Sequence, residues 1–301
     1  MRLALKVDVD TLRGTREGVP ALLRLFDEFD VRATFLFSLG PDHTGRALKR
    51  IFRPGFLRKV RRTSVASHYG IRTLLYGTLL PGPVIGRRCA DTLRAVAAAG
   101  HETGIHCYDH VKWQDYVARR DAAWADAELR KAMVLYQDIF GEPASVHGAA
   151  GWQVNPATFT LEEKAGFRYA SDTRGRSAFF PVMDGRPARC PQLPTTLPTL
   201  DELIGEHGVT AQNVHETVLA ASRQPAEHGH VYTLHAELEG MQLLPVLRRL
   251  LEAWRREGVA MGTMAANLAA IDTAGLPLCE VHWGTVPGRS GVLAVQGEAL
   301  A

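Results

Sequence analysis

The chain has 301 residues, of which 46% are hydrophobic and 22% charged, and its formal net charge is +3. A chain of this length suits one large domain or two small ones and can bury about 75% of its unfolded surface, so its stability requires no disulfides. Four scattered cysteines exclude a Cys-x-x-Cys zinc knuckle and predict a reducing compartment, and no uncharged apolar run reaches the roughly 18 to 20 residues of a membrane-spanning helix.

Strand and helix signals alternate along most of the chain. In chain order they predict strands at 3–9, 31–39, 101–106, 144–146, 167–171 and 231–235, and helices at 18–29, 89–99, 121–140, 156–166, 211–223, 245–257 and 264–270. The segment 42–88 interrupts this rhythm, and the proline-rich segment 179–198 is predicted to be an extended connection. The alternation predicts a parallel sheet with outer helices, open or closed to a barrel, whose active site lies at the carboxyl ends of the strands.

Two histidines lie around the end of the third predicted strand. His106 and His110 are four residues apart, so a helix starting at Ile105 would bring both rings to one face, one turn apart. Two imidazoles at that spacing can bind one divalent ion. His-x-x-x-His alone is a weak signal, because most such pairs are solvated or hydrogen-bonded surface residues, and a metal site also requires a carboxylate.

Other polar residues end predicted strands. Asp8 and Asp10 point to the same side of an extended chain and would repel each other unless a cation neutralises them. Without the histidines, a loop-entry Asp and a capping Asp would explain the pair equally well. Asp172 and His235 each end a later strand, where a turn cap or a core histidine is the ordinary interpretation. Their joint occurrence at strand ends favours one active site.

The order of these motifs resembles that of the polysaccharide deacetylases, the NodB-homology carbohydrate esterases. The resemblance covers roughly residues 3–270 and depends on Asp8-Val9-Asp10, the run from Gly100 to His110, Asp172, and Leu234-His235. Within that family the chain is similar to deformylases of a lipid-linked formamido-arabinose. The matching runs are Asp8–Thr11, Arg13–Pro20, Ala149–Trp152, Leu197–Thr199, His235–Glu237 and Glu239–Gly240.

The resemblance implies an α/β fold, a distorted (β/α) barrel of NodB-homology type. We expect a single domain over 1–275 with a basic and apolar insert at 42–88, followed by a C-terminal tail at 276–301. The resemblance also implies one divalent metal ion held by Asp10, His106 and His110. Two imidazoles and one carboxylate suit zinc, cobalt, manganese or iron.

The remaining roles are implied in the same way. Asp8 is expected to be the catalytic base, His235 the catalytic acid, and Asp172 the residue that orients His235. An exchange of Asp8 and Asp10 stays open, because Val9 separates two aspartates that are usually adjacent in the family. The arginine that would orient the base is absent from the third motif, and Arg174 is an alternative for that role or for contact with a lipid phosphate.

The implied activity is hydrolysis of the formyl group from a polyprenyl-phosphate-linked formamido sugar. The product would be the amino-arabinose lipid used in lipid A modification and polymyxin resistance. One alternative is an N-deacetylase of another cell-envelope amino sugar, which the lack of a recognisable signal peptide disfavours. Another is an inactive family member that binds glycolipid, which the complete set of six site residues disfavours.

The insert carries the basic charge of the chain. The segment 46–62 contains eight lysines and arginines and no acid, leaving the rest of the chain at −5, and an uncharged, largely apolar run follows at 73–86. Nucleic-acid binding would require more aromatic platforms than two phenylalanines. We therefore expect docking to an anionic membrane and no nucleic-acid partner. The expected location is cytoplasmic, on the inner face of the inner membrane, and the oligomeric state stays open.

Overall fold

The computed structural model describes residues 1–47 and 71–300. In this part of the chain seven strands form a parallel sheet: β1 (Arg2–Val9), β2 (Thr34–Ser38), β3 (Glu102–Cys107), β4 (Val146–His147), β5 (Tyr169–Ala170), β8 (His230–His235) and β9 (Ala260–Gly262). Their order is β5-β4-β3-β2-β1-β8, with β9 also paired to β1. This sheet forms a parallel half-barrel with helices packed around it, so the predicted fold class is confirmed.

A smaller sheet of four strands lies beside the first within the described residues. It consists of β6 (Phe180–Met183), β7 (Arg186–Pro187), β10 (Leu278–Gly284) and β11 (Leu293–Ala299), in the order β11-β10-β6-β7. The segment 179–198, predicted to be an extended connection, contains two short strands, because β6 pairs with β10, more than 80 residues later in the chain. The last 25 residues contribute two strands to this sheet.

The described helices surround the larger sheet. They are α1 (Val19–Glu28), α2 (Ile71–Leu75), α3 (Ile85–Arg88), α4 (Ala90–Ala98), α5 (His110–Tyr116), α6 (Ala122–Phe140), α7 (Pro156–Ala165), α8 (Leu200–Leu203), α9 (Val214–Ser222), α10 (Leu244–Arg256) and α11 (Met264–Leu268). The long helices agree with their predictions to within a few residues. Their signals are local: α1 and α7 begin with proline in the first turn, and α6 and α7 end at glycines with φ of +78° and +74°.

The position of β1 at the centre of the sheet explains its sequence. Every residue from Leu3 to Val9 is buried, as expected for a parallel strand covered on both faces. Its register places Asp8 opposite His235 of β8 on one side and Leu36 of β2 on the other. The carboxyl ends of β1, β3 and β8 therefore meet at one edge of the sheet, where the polar residues gather.

Candidate metal centre

Three side chains converge at this edge. Asp10 Oδ1 lies 3.4 Å from His106 Nε2, and Asp10 Oδ2 lies 3.4 Å from His110 Nε2. His106 belongs to β3, whereas His110 is the first residue of α5, whose N-cap Asp109 accepts a hydrogen bond from Lys112 N at 3.1 Å. The conditional prediction of a helix starting at Ile105 is therefore wrong. A strand end followed by a helix start brings the two rings together instead.

The donor set fits a metal ion. Tetrahedral coordination with bonds of about 2.0 to 2.2 Å separates ligand atoms by roughly 3.3 to 3.6 Å. Each of the two imidazole Nε2 atoms lies within this range of one Asp10 oxygen, at 3.4 Å. Asp10 Oδ1 is buried and has no hydrogen-bond partner in the described structure. Burial destabilises the ionised carboxylate of Asp10 and so raises its pKa to about 7. A bound cation would stabilise the ionised form. Burial also lowers the pKa of His106 well below its usual value, which favours the neutral, ligating imidazole.

The second ring nitrogen of His106 fixes its tautomer. His106 Nδ1 donates a hydrogen bond to the carbonyl oxygen of Gly148 at 2.6 Å. This contact leaves the lone pair of Nε2 directed toward Asp10. Outer hydrogen bonds of this kind are a common feature of metal-ligating histidines.

A second group of potential metal ligands lies deeper in the protein. His147 Nδ1 is 2.6 Å from Glu162 Oε1 and 3.2 Å from Asp172 Oδ1, and all three side chains are fully buried. Burial alone would lower the pKa of His147, but the two carboxyl groups raise it to about 10. The 2.6 Å contact is a hydrogen-bond distance, shorter than the spacing between ligands of one ion. The geometry thus favours a buried charge cluster here and metal binding at Asp10.

The predicted pairing of Asp172 with His235 is wrong. Asp172 Oδ1 accepts a hydrogen bond from Ala149 N at 2.7 Å, and Asp172 Oδ2 accepts one from Gln192 Nε2 at 2.9 Å. His235 Nδ1 is buried without a hydrogen-bond partner among the described residues. Asp172 ends β5 at one side of the sheet, whereas His235 ends β8 at the other, and a linear sequence does not reveal this separation.

Asp8 lies beside the three converging residues and is also buried. Its Oδ2 is 3.6 Å from Lys6 Nζ, and its Oδ1 is 3.9 Å from His106 Nδ1. Because His106 Nδ1 is the nitrogen that donates to Gly148, Asp8 does not face the ligating nitrogen. These distances favour Asp10 over Asp8 as the ligand.

Two glutamates that our sequence analysis did not assign to the site hold its loops. Glu237 Oε1 accepts hydrogen bonds from Asp10 N at 3.0 Å and from Thr11 N at 2.7 Å. A Cβ at Gly14 would overlap that same oxygen, which explains the glycine in the π-helical turn Gly14–Gly18. Glu239 Oε2 accepts from His235 N at 2.9 Å. The sequence feature that could have identified both glutamates was their position in the run from His235 to Gly240.

Three cations surround the indole of Trp152. Its ring centroid lies 5.6 Å from Lys6 Nζ, 5.1 Å from Arg174 Cζ and 4.5 Å from Arg289 Cζ. Trp152 has a φ of +52°, an uncommon conformation for a bulky residue. Strain of this kind is often found at functional sites.

Arg174 does not take either of its two predicted roles. Its guanidinium donates to Thr195 O at 3.3 Å, to Leu197 O at 3.0 Å and to Glu202 Oε1. These contacts bury the side chain and connect the segment after β5 to α8, so they are inconsistent with contact to Asp8 or to a lipid phosphate.

Residues 48–70 of the predicted membrane-docking insert at 42–88 lie outside the described residues, including all of its basic residues from Lys49 to Arg62. In the described part of the insert, Leu79 is 82% exposed. None of the helices described here has the length and hydropathy needed to cross a membrane.

A scan against models of protein families finds no match. The chain is 37% identical over 299 residues to a protein of Shewanella sediminis (strain HAW-EB3) named "Probable 4-deoxy-4-formamido-L-arabinose-phosphoundecaprenol deformylase ArnD", covering 99% of this chain and 96% of that one. It is 30% identical to a protein of the same name from Wigglesworthia glossinidia brevipalpis, covering 95% and 99%. The crystal structure of a protein named "putative polysaccharide deacetylase" from Mycobacterium smegmatis matches with a TM-score of 0.62 over 91% of each chain, and at 18% identity this likeness shows the fold.

Proposed function

Since this chain belongs to the family of 4-deoxy-4-formamido-L-arabinose-phosphoundecaprenol deformylases and is a hydrolase of amide bonds, we propose that it removes the formyl group from that lipid-linked sugar in a metal-dependent reaction. The product amine would serve lipid A modification. The observation that carries the metal dependence is the arrangement of Asp10, His106 and His110 with spacings of 3.4 Å.

These three residues would hold one divalent ion, with zinc, cobalt, manganese and iron as the candidates. When bound, such an ion lowers the pKa of a water molecule toward about 7 and polarises the formyl oxygen. The protein supplies the neutral imidazole of His106 through the hydrogen bond to Gly148 O, and it holds the backbone of Asp10 through Glu237.

Asp8 is the proposed base. Its Oδ1 is buried, has no hydrogen-bond partner among the described residues and lies 3.9 Å from the ring of His106, so this oxygen is suited to accept a proton from the attacking water. His235 is the proposed acid, which donates a proton to the sugar nitrogen as the C–N bond breaks. The parallel pairing of β1 and β8 sets Asp8 and His235 on neighbouring strands at the same edge of the sheet, which supports their action on one substrate.

The substrate's lipid requires the enzyme to work at a membrane surface. We propose that the insert at 42–88 docks on the anionic inner face of the inner membrane from the cytoplasm. The eight basic residues of 46–62 and the exposed Leu79 support this proposal.

One experiment tests substrate and metal together. Purified protein is incubated with the formamido-arabinose lipid, with and without a chelator, and the products are analysed by mass spectrometry. We expect loss of the mass of CO (formyl replaced by hydrogen), abolished by chelator and restored by added divalent metal. The matching acetamido lipid serves as the comparison substrate, and its preferred hydrolysis would contradict the formyl assignment.

A further inference from the structure

Lys6 is a lysine in the interior of the central strand. Its side chain has no exposed surface, although it lies in the apolar run Leu3–Val9. A buried ammonium is costly unless partners compensate for its lost hydration. Because residues two apart on a strand share a face, Lys6 lies on the same side of β1 as Asp8.

Three contacts fix the ammonium group. Lys6 Nζ donates a hydrogen bond to Ser171 O at 3.0 Å, lies 3.6 Å from Asp8 Oδ2 and lies 5.6 Å from the centre of the Trp152 ring. These partners belong to three separate parts of the chain, namely the residues after β5, β1 itself and the turn after β4. The position of the charge is therefore set by the tertiary structure and not by the flexible lysine stem.

The two oxygens of Asp8 differ in their surroundings. Oδ2 faces Lys6, whereas Oδ1 is buried, has no hydrogen-bond partner in the described part of the chain and lies 3.9 Å from His106 Nδ1. An ammonium held on one side of a carboxylate selects which oxygen faces the other side. We propose that Lys6 is the positioning residue of the base: it binds Asp8 Oδ2 and so directs Oδ1 toward the reacting water.

This inference rests on the proposed function of Asp8 as the base. Lys6 acts only through Asp8, so the effect of its replacement depends on Asp8, whereas a general loss of stability would not. The effect of Lys6→Met on kcat should depend on whether a carboxylate is present at position 8. Residues that act as one unit show such non-additivity.

A double-mutant cycle tests the coupling. Lys6→Met is expected to lower kcat on the order of 10²-fold, with KM and metal content within about twofold of wild type. In the Asp8→Asn background the same substitution should change kcat by less than about threefold. The proposal would be overturned if the fold-decreases in kcat of the two single variants multiply in the double variant, or if Lys6→Met loses the metal. Full turnover by Asp8→Asn would overturn it as well, together with the base assignment.

Further variants guard against a simple folding defect. Lys6→Gln keeps a donor for Ser171 O without the charge and should behave as Lys6→Met does, while Lys6→Arg should recover part of kcat. Lys164→Met is the control for loss of a lysine charge, since Lys164 is exposed in the last turn of α7 and its replacement should leave kcat unchanged.

A crystal structure of Lys6→Met, or of Lys6→Gln if the first variant does not fold, separates this inference from the activity itself. We expect the Asp8 carboxylate to turn so that Oδ1 no longer faces His106. An unchanged Asp8 would overturn the positioning role, whatever substrate the enzyme hydrolyses.

Discussion

His106 donates its Nδ1 proton to the carbonyl oxygen of Gly148, at 2.6 Å. The residues on both sides of Gly148 are held by Asp172, which binds the ring of His147 at 3.2 Å and the amide of Ala149 at 2.7 Å. A carboxylate outside the Asp10–His106–His110 cluster thereby fixes the backbone oxygen that orients His106, a proposed metal ligand. This connection assigns Asp172 a role different from the orientation of His235.

Loss of one ligand should remove the metal. Purified protein is expected to contain about one divalent ion per chain, and His106→Ala or His110→Ala should lose it because two ligands rarely hold an ion alone. Elemental analysis measures the content, and circular dichroism checks the fold. His228→Gln, far from the cluster in sequence, serves as the control. Full occupancy in both alanine variants would refute the ligand assignment.

Asp172→Asn should weaken metal binding on the order of 10-fold to 100-fold, because it removes the charge that holds His147 and so loosens Gly148. Competition with a chromogenic chelator measures the affinity. At saturating metal we expect kcat close to wild type. A lower kcat with unchanged metal affinity would instead indicate an effect on the acid. Asp184→Asn, in an exposed turn, is the matched control.

Base and acid variants should keep the metal and lose turnover. His235→Ala and Asp8→Asn are each expected to lower kcat by roughly 10²- to 10⁴-fold, since proton transfer contributes that much. Asp10→Asn should lose the metal. If Asp8→Asn loses the metal while Asp10→Asn retains it, the roles of the two aspartates are exchanged.

The stability of the protein should fall in acid because of His101. Burial lowers the pKa of this histidine to about 4, and its Nδ1 accepts a hydrogen bond from Ala33 N at 3.1 Å. The unfolded chain binds a proton near pH 6.5, so the free energy of unfolding decreases as the pH falls from 6.5 toward 4. In urea unfolding of His101→Asn, the free energy of unfolding should depend less steeply on pH over that range. The difference in slope from wild type should correspond to about one proton fewer bound on unfolding. Identical slopes would contradict the assignment.

Membrane docking should depend on charge. Each basic residue near an anionic surface contributes up to about 1 kcal/mol, and salt screens this attraction. Flotation with anionic vesicles should show binding that falls with salt and falls further when Arg58, Lys59, Arg61 and Arg62 are replaced by Ser. Turnover of a short, water-soluble sugar analogue should barely change. Equal binding of wild type to neutral and anionic vesicles would exclude the electrostatic contribution.

The sequence predicts a helix well where the residues that stabilise it lie close together in the chain. Helices α6 and α7 are confirmed because caps, apolar periodicity and terminal glycines all lie within a few residues of each other. The segment 179–198 shows the opposite case. Its strand β6 pairs with β10 as well as with β7, so part of its stability comes from residues that are distant in the sequence.

For the candidate site, the sequence by itself determined the residue types and their order: two aspartates around the end of β1, two histidines around the end of β3 and a histidine at the end of β8. It also indicated the family, because those motifs are unusual. Only the tertiary structure decided the partners. Asp172 and His235 end strands on opposite sides of the sheet, and Lys6 and Asp8 share one face of a buried strand. The physical reason is that a charge buried in the protein must find its partner across the fold, and sheet order, which the sequence does not state, decides which partner is within reach.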